Sequence, residues 1–366
     1  MKINLIGNPE VIMSNPEGKH KYFGWPSIAR LQNDKLAVVA SGFRRRHICP
    51  HGKTVISYSE DEGKTYTRPA PVIDTVLDDR DGGVVPFGKS SVVVTSFNNS
   101  VDFQRGICRN TYDQAYLDTI SPEEEAEAIG TNFKISHDCG VTFGEIHKSP
   151  ITSPHGPVEL KDGTLMWIGR TYNARDFVRK EEEYIRAYKI NPDDGSMEFV
   201  GEVEQILYEG ETTLSCEPHS VVLDDGTIIT HIRVQDKTYT IFTLYQTESY
   251  DNGKTWTKPR ALLRRKGGAP AHLLKHSSGT LISTYGFRGE PGNSEVFGIK
   301  AMFSHDNGKT WDTDNWIYKT EISSDLGYPA SVELKDGSIL TVFYALGEKG
   351  GPAVIMQQNW NFEQTK

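Results

Sequence analysis

The stretch SEDEGKTY, Ser59 to Tyr66, follows the rule Ser-x-Asp-x-Gly-x-Thr-aromatic, and the chain writes that rule three more times. The other copies are SHDCGVTF (Ser136 to Phe143), SYDNGKTW (Ser249 to Trp256) and SHDNGKTW (Ser304 to Trp311). A phrase recurring at long intervals marks a repeated supersecondary unit. Each copy carries turn chemistry. The Asp accepts from nearby backbone N–H groups, the Gly supplies a positive φ, and the aromatic residue anchors the turn against the next strand. These Asp residues read as folding devices rather than catalysts.

A second repeat interleaves with the first. It begins on a small residue or Pro, runs into an apolar strand, turns at Asp-Gly-Thr or a variant, and enters a second β-rich strand. Six copies start at Trp25, Asp81, His155, Glu217, Ala269 and Tyr328. The apolar runs and tight turns predict paired strands. The Asp turns follow copies one, two, four and five. NPDDGSM (Asn191 to Met197) is a degenerate substitute after copy three, and copy six has none. Six strand–turn–strand units, most closed by a second hairpin, predict an all-β fold: a six-bladed β-propeller of four-stranded blades. The last blade then lacks an outer strand, which the N-terminal INLIGNPEVIM supplies, so the first dozen residues should matter for stability.

Length alone would permit two or three domains, but the repeat predicts one propeller over 1–366, with an insertion in blade two at about 99–131. Within the insertion, SPEEEAEAIG (Ser121 to Gly130) has an N-cap Ser, a Glu three residues on and a Gly stop, which predicts a short helix. RTYNARDFVRKEEEY (Arg170 to Tyr184) reads as a charged loop or extended hairpin in blade three.

The formal net charge of −9 argues against a nucleic-acid or anionic-membrane partner. No apolar run approaches a membrane span, and MKINLIGNPE lacks the apolar core of a signal peptide. Cys49, Cys108, Cys139 and Cys216 show no C-x-x-C spacing and read as thiols of a reducing cytoplasm. No nucleotide or metal motif is present, so no cofactor is expected, and the oligomeric state is left open. In a propeller, the starts of the repeats and the ends of the second strands line a central funnel. Trp25, Arg44, Arg45, His51, Asp81, His155, Arg170, Glu217, Arg233, Arg288 and Tyr328 are therefore the candidates. This set suits a polar, anionic sugar.

On these motifs the whole chain resembles the sialidase superfamily, whose members carry Asp-boxes on six-bladed propellers. The resemblance implies specific roles. Tyr328, in GYPASVELKDGSI, resembles the nucleophilic tyrosine, and Glu217, in SCEPHSVVLDDGTI, the glutamate that activates it. Arg233 falls at the second carboxylate-binding arginine, Asp81 at the aspartate that contacts a ring hydroxyl, and Arg44 or Arg45 at the arginine after blade one's second strand. The chain also departs from the family. Phe23-Gly24-Trp25-Pro26 lacks the arginine of the family's Phe-Arg-Ile-Pro, VFGIKAMFS lacks the third arginine, and Arg288 is out of register. The acid loop, RHICPHGK, offers His47 and His51 and no carboxylate, with His51 preferred as the acid.

The expected function is exo-hydrolysis of an acidic or unusual terminal sugar from an oligosaccharide. Tyr328, Glu217 and His51 are the catalytic residues in this reading, with Arg44, Arg45, Asp81, Arg170, Arg233, Arg288 and Trp25 as substrate contacts. Two other readings stay open. One is a lyase on uronic-acid termini, and the other is a non-catalytic carbohydrate-binding propeller.

Overall fold

The computed structural model describes residues 1–172, 184–236, 241–263, 268, 270–289 and 295–363. Six of its sheets are the blades of a propeller, each ordered from the axis outward, and a separate two-stranded sheet pairs Leu207–Tyr208 with Glu211–Thr212. Blade one is Tyr22–Arg30, Leu36–Arg44, Lys53–Ser59 and Ala70–Ile73. Blade two is Arg80–Phe87, Ser91–Phe97, Thr131–Ser136 and His147–Ser149. Blade three has a divided inner edge. Ile151–Thr152 and Val158–Glu159 both pair with Leu165–Thr171, which is followed by Ile185–Ile190 and Met197–Glu202. Blade four is Leu214–Val222, Ile228–Gln235, Phe242–Ser249 and Arg260–Ala261, and blade five Ala271–Lys275, Leu281–Phe287, Phe297–Ser304 and Asp312–Thr320. Blade six is Gly327–Glu333, Ile339–Leu346, Ala353–Glu363 and, outermost, the N-terminal strand Lys2–Met13. Lys2 faces Glu363 and Leu5 faces Trp360 across that antiparallel pair, so the ring is closed by the two ends of the chain.

The core is one apolar layer per blade junction, because each blade is covered on both faces. Val39 and Ile56 of blade one meet Val84, Val92 and Val94 of blade two, while Phe133 meets Leu165 and Trp167 between blades two and three. Met166 and Ile168 meet Ile228 and Ile232 between blades three and four, and Leu244 meets Tyr285 and Met302 between four and five. Ile299 and Phe303 meet Phe343 and Trp360 between five and six, and Val38 meets Ala330 and Val342 between one and six. Two-sided burial explains why second strands such as Leu36–Arg44 read as continuous apolar runs rather than alternating ones.

The inner hairpins share one turn bond. Leu31, Leu160, Leu223, His276 and Leu334 each donate their N–H to the carbonyl four residues on, at 2.7–3.0 Å. The four Asp-box turns join the third and fourth strands. In each, the Thr N–H donates to one Asp oxygen at 2.8–2.9 Å and the Thr hydroxyl to the other at 2.6 Å. The box aromatics differ from expectation. They lean on the preceding blade of the ring rather than on the next strand. Tyr66 donates to Gln357 of blade six at 2.7 Å, and Trp311 to Gln246 of blade four at 2.8 Å. The boxes therefore also fasten one blade to another.

The blade-two insertion holds three short helices where the sequence signalled one: α1 (Val101–Ile107), α2 (Thr111–Leu117) and α3 (Pro122–Ala128). The Ser121–Glu124 capping box of α3 is present as read. The other two are capped by Ser100 and Asn110. Most of the charged segment after Arg170 lies outside the described residues.

Candidate functional site

The first residue of the inner hairpin takes a left-handed backbone in five blades: Trp25 (φ 53°), Asp81 (49°), His155 (69°), Glu217 (50°) and Tyr328 (50°). None of them is Gly, so each stores strain of about 1–3 kcal/mol. The pairing register slips at the same place in blades one, two, four and six, between Gly24 and Ser27, Arg80 and Gly83, Cys216 and His219, and Gly327 and Ala330. A bulge of this kind re-aims one side chain. Here it brings residues more than one hundred positions apart into contact.

The Tyr328 hydroxyl donates to Glu217 Oε1 at 2.6 Å. Arg233, at the end of blade four's second strand, places Nη1 at 2.7 Å from both Glu217 oxygens and 3.5 Å from the Tyr328 oxygen. Gln235 holds the far side of Arg233, accepting from Nε at 2.9 Å. Burial alone would raise the Glu217 carboxyl, but the Arg233 charge and hydrogen bond hold it below its ordinary value. Burial, then the charges of Glu217 and Asp81, push the Tyr328 phenol well above its usual range. At rest the site therefore holds a neutral phenol hydrogen-bonded to an ionised carboxylate. A carboxylate so placed can take the phenol proton. The side chains of Glu217 and Arg233 remain 16% and 11% exposed, a narrow opening onto a largely buried group.

Asp81 sits in the same electrostatic neighbourhood, its Oδ1 4.0 Å from Arg80 Nε. Arg288 follows blade five's second strand. It donates to the Leu326 carbonyl at 3.0 Å and lies within 3.5 Å of the Tyr344 hydroxyl. Arg170 ends the equivalent strand of blade three, 5.3 Å over the Tyr172 ring.

Four expected site residues are used otherwise. The Arg44 side chain is 0% exposed and pairs with the equally buried Asp78 at 2.5 Å, so it braces the interior instead of meeting a ligand. Trp25 is enclosed by cations, with Arg80 4.2 Å and Arg44 4.9 Å from its ring, and is not an open stacking platform. Arg45 stacks on Tyr112 and reaches Asp113 of α2, which Arg46 also pairs with. His51 packs on His20, Tyr112 and Tyr116, 3.5 Å from Asp113 Oδ1. The insertion drew Arg45, Arg46 and His51 away, because the charged Asp113 buried in α2 needs cationic partners. His47 is the loop histidine nearer the cluster. It lies edge-on to Trp25 at 4.8 Å, with Nδ1 3.2 Å from Asp325 Oδ1. His155, His219 and His272, from blades three, four and five, form a buried triad with ring distances of 4.3–5.3 Å.

Sequence reading missed Arg80, Asp325, Tyr22 and Tyr344. Asp325 gathers the last two hydroxyls at 2.9 and 3.1 Å. Arg80 carried one usable signal, its place directly before a blade opener. Asp325 carried none beyond lying three residues before Tyr328.

The sequence profile of the BNR repeat-like domain matches residues 116–344, well over half of the chain. The chain belongs to that family. No curated protein matches it. Among solved structures it is similar to a protein of unknown function from Dyadobacter fermentans, at 17% identity over 99% of both chains, with a TM-score of 0.76. It is also similar to the NanB sialidase of Streptococcus pneumoniae, at 14% identity over 97% of this chain and 70% of that one (TM-score 0.64). The intramolecular trans-sialidase of Ruminococcus gnavus is 13% identical over 94% of this chain and 95% of its own (TM-score 0.62). The fold is thus the six-bladed propeller of the sialidases. Among the described residues, no helix is long and apolar enough to cross a membrane.

Proposed function

We propose that this protein is a sialidase-like glycoside hydrolase, removing an acidic or unusual terminal sugar from oligosaccharides. The observation that carries the reading is the 2.6 Å hydrogen bond from the Tyr328 hydroxyl to a Glu217 carboxylate held by Arg233. Tyr328 attacks the anomeric carbon as its proton passes to Glu217. A neutral tyrosine relayed through a carboxylate approaches an anomeric carbon that bears an anionic substituent with less charge repulsion than a bare carboxylate would. Arg233 steadies the charge as it moves between the two oxygens. Arg288 and Arg170 bring positive charge for an acidic substituent.

A lyase acting on uronic-acid termini is the second reading. His47 favours it, because Nδ1 faces Asp325 and leaves Nε2 to serve as the base. The test is the mass of the products from sialyl, ketodeoxy-sugar and uronyl oligosaccharides. Hydrolysis releases a sugar with water added. An unsaturated product would overturn hydrolysis in favour of elimination, and binding without any product would leave a carbohydrate-binding propeller.

A further inference from the structure

Arg233 and Gln235 leave one face of blade four's second strand, as residues two apart in a strand do. Gln235 is fully buried, and its Oε1 accepts from both Nε and Nη2 of Arg233. Nη1 donates to both Glu217 oxygens at 2.7 Å. Gln235 thus takes one edge of the guanidinium and Glu217 another, which uses four of its five N–H bonds. The Phe242 ring lies 4.6 Å from the guanidinium carbon and backs it. One Nη2 hydrogen is left over, too few for the paired contact an arginine makes with a free carboxylate.

The other end of the Gln235 amide points the same way. Nε2 is buried and has no partner among the described residues. A buried donor left unpaired is costly, so what Gln235 contributes is its oxygen. Held at Nε and Nη2, the guanidinium cannot turn away from Glu217 without breaking those two bonds. The charged and titratable groups facing Glu217 are Arg233 of its own blade, Tyr328 of blade six, Arg288 after blade five's second strand and Asp81 of blade two. Burial drives the Glu217 carboxyl up, and the Arg233 charge and hydrogen bond, the largest opposing pull, bring it down. The ionisation of Glu217 therefore depends on where Gln235 holds Arg233.

We propose that Gln235 is a positioning residue that commits Arg233 to Glu217, so that Arg233 serves the base and is withheld from the acidic group of the substrate. The role rests on the hydrolase reading above, in which Glu217 takes the Tyr328 proton. It departs from the sequence expectation, which made Arg233 a substrate contact.

The experiment combines carbon-13 NMR of glutamate carboxyls, with Glu217 assigned through Glu217→Gln, and the kinetics of Gln235→Met. The substrate is whichever sialyl, ketodeoxy-sugar or uronyl oligosaccharide the wild type hydrolyses. Wild-type Glu217 should titrate below the ordinary glutamate range. In Gln235→Met that titration and the acid limb of kcat/KM should both move up by about one pH unit. The value of kcat should fall roughly 10²-fold, with KM within about threefold of wild type. Gln235→Glu returns an oxygen to Arg233 and should recover at least about tenfold of that loss. A titration and limb unmoved in Gln235→Met, a loss carried by KM rather than kcat, or no recovery in Gln235→Glu would each overturn the proposal, and the KM result would make Arg233 the substrate's clamp. If Gln235→Met does not fold, Gln235→Asn, whose amide stops one methylene short of Arg233, is read in the same way. If the wild type hydrolyses none of the oligosaccharides, the NMR decides alone. A Glu217 carboxyl that rises in the variant then supports the placement of Arg233 and puts the fault in the hydrolase reading, and one that stays overturns the proposal.

Discussion

The Asp-box turns at the rim and the blade openers at the axis use the same materials, a carboxylate and a left-handed residue, to opposite ends. Asp61 gives both oxygens to Thr65, and its carboxyl is held down to about 2 first by those bonds. The left-handed residues beside it are Glu62, half-buried and paired with Arg30, and Gly63. At the axis the left-handed residues are Trp25, Asp81, His155, Glu217 and Tyr328, all large or ionisable. Their strain is not relieved locally, and they meet one another across the ring. Where a motif consumes its own polar groups it builds the fold. Where it leaves them to partners in other blades it builds a site.

The sharpest way to break this comparison is Tyr328→Phe, which keeps the ring and removes only the hydroxyl on Glu217. Turnover should fall by at least about 10³-fold while ligand binding, measured by calorimetry, is largely kept. Near-normal turnover would make the axial pair as structural as the boxes. Arg233→Met comes next, because it leaves the Glu217 charge buried without its cation. A loss of about 3–5 kcal/mol is expected in denaturant unfolding. Gly63→Ala probes the rim. The new methyl needs a left-handed backbone and meets Leu340 Cδ2 at 2.7 Å, so stability should fall by about 1–2 kcal/mol with kcat unchanged.

The pH dependence of stability separates the regions more finely. Asp79 and Asp81 have folded values near 7 against 3.8 unfolded, so the folded chain binds more protons between those limits. Their contribution to stability therefore falls as pH rises from about 4 to about 7, and Asp81→Asn should flatten that slope. The rim has the opposite sign. Asp61, Asp138 and Asp306 are held down to about 2, so what they contribute is present above about pH 4 and lost as pH falls toward 2.

Legibility in the sequence follows the same division. The boxes and inner hairpins are made by neighbours along the chain, so four turns, six repeats and the closing N-terminal strand were readable from residue order. The Tyr328–Glu217–Arg233 group was readable only because each member opens or ends a repeated strand. Which side chains meet across the ring is set by bulges that no local pattern announces. The helical insertion decided the rest. Arg45 and His51 stood at the right place along the chain, but the buried Asp113 of α2 claimed that neighbourhood. Arg44 was lost to Asp78 for the same physical reason. An arginine in sequence carries no sign of the buried carboxylate that will occupy it.

The central claim is that Tyr328 is the nucleophile that Glu217 activates. It is tested most directly by intact-protein and peptide mass spectrometry after reaction with a fluorinated analogue of a glycoside the enzyme hydrolyses, chosen so that the glycosyl–enzyme breaks down slowly. The account predicts a stoichiometric sugar adduct on the peptide carrying Tyr328, absent in Tyr328→Phe. Steady turnover of the parent glycoside by Tyr328→Phe, or an adduct on any other residue, would contradict it.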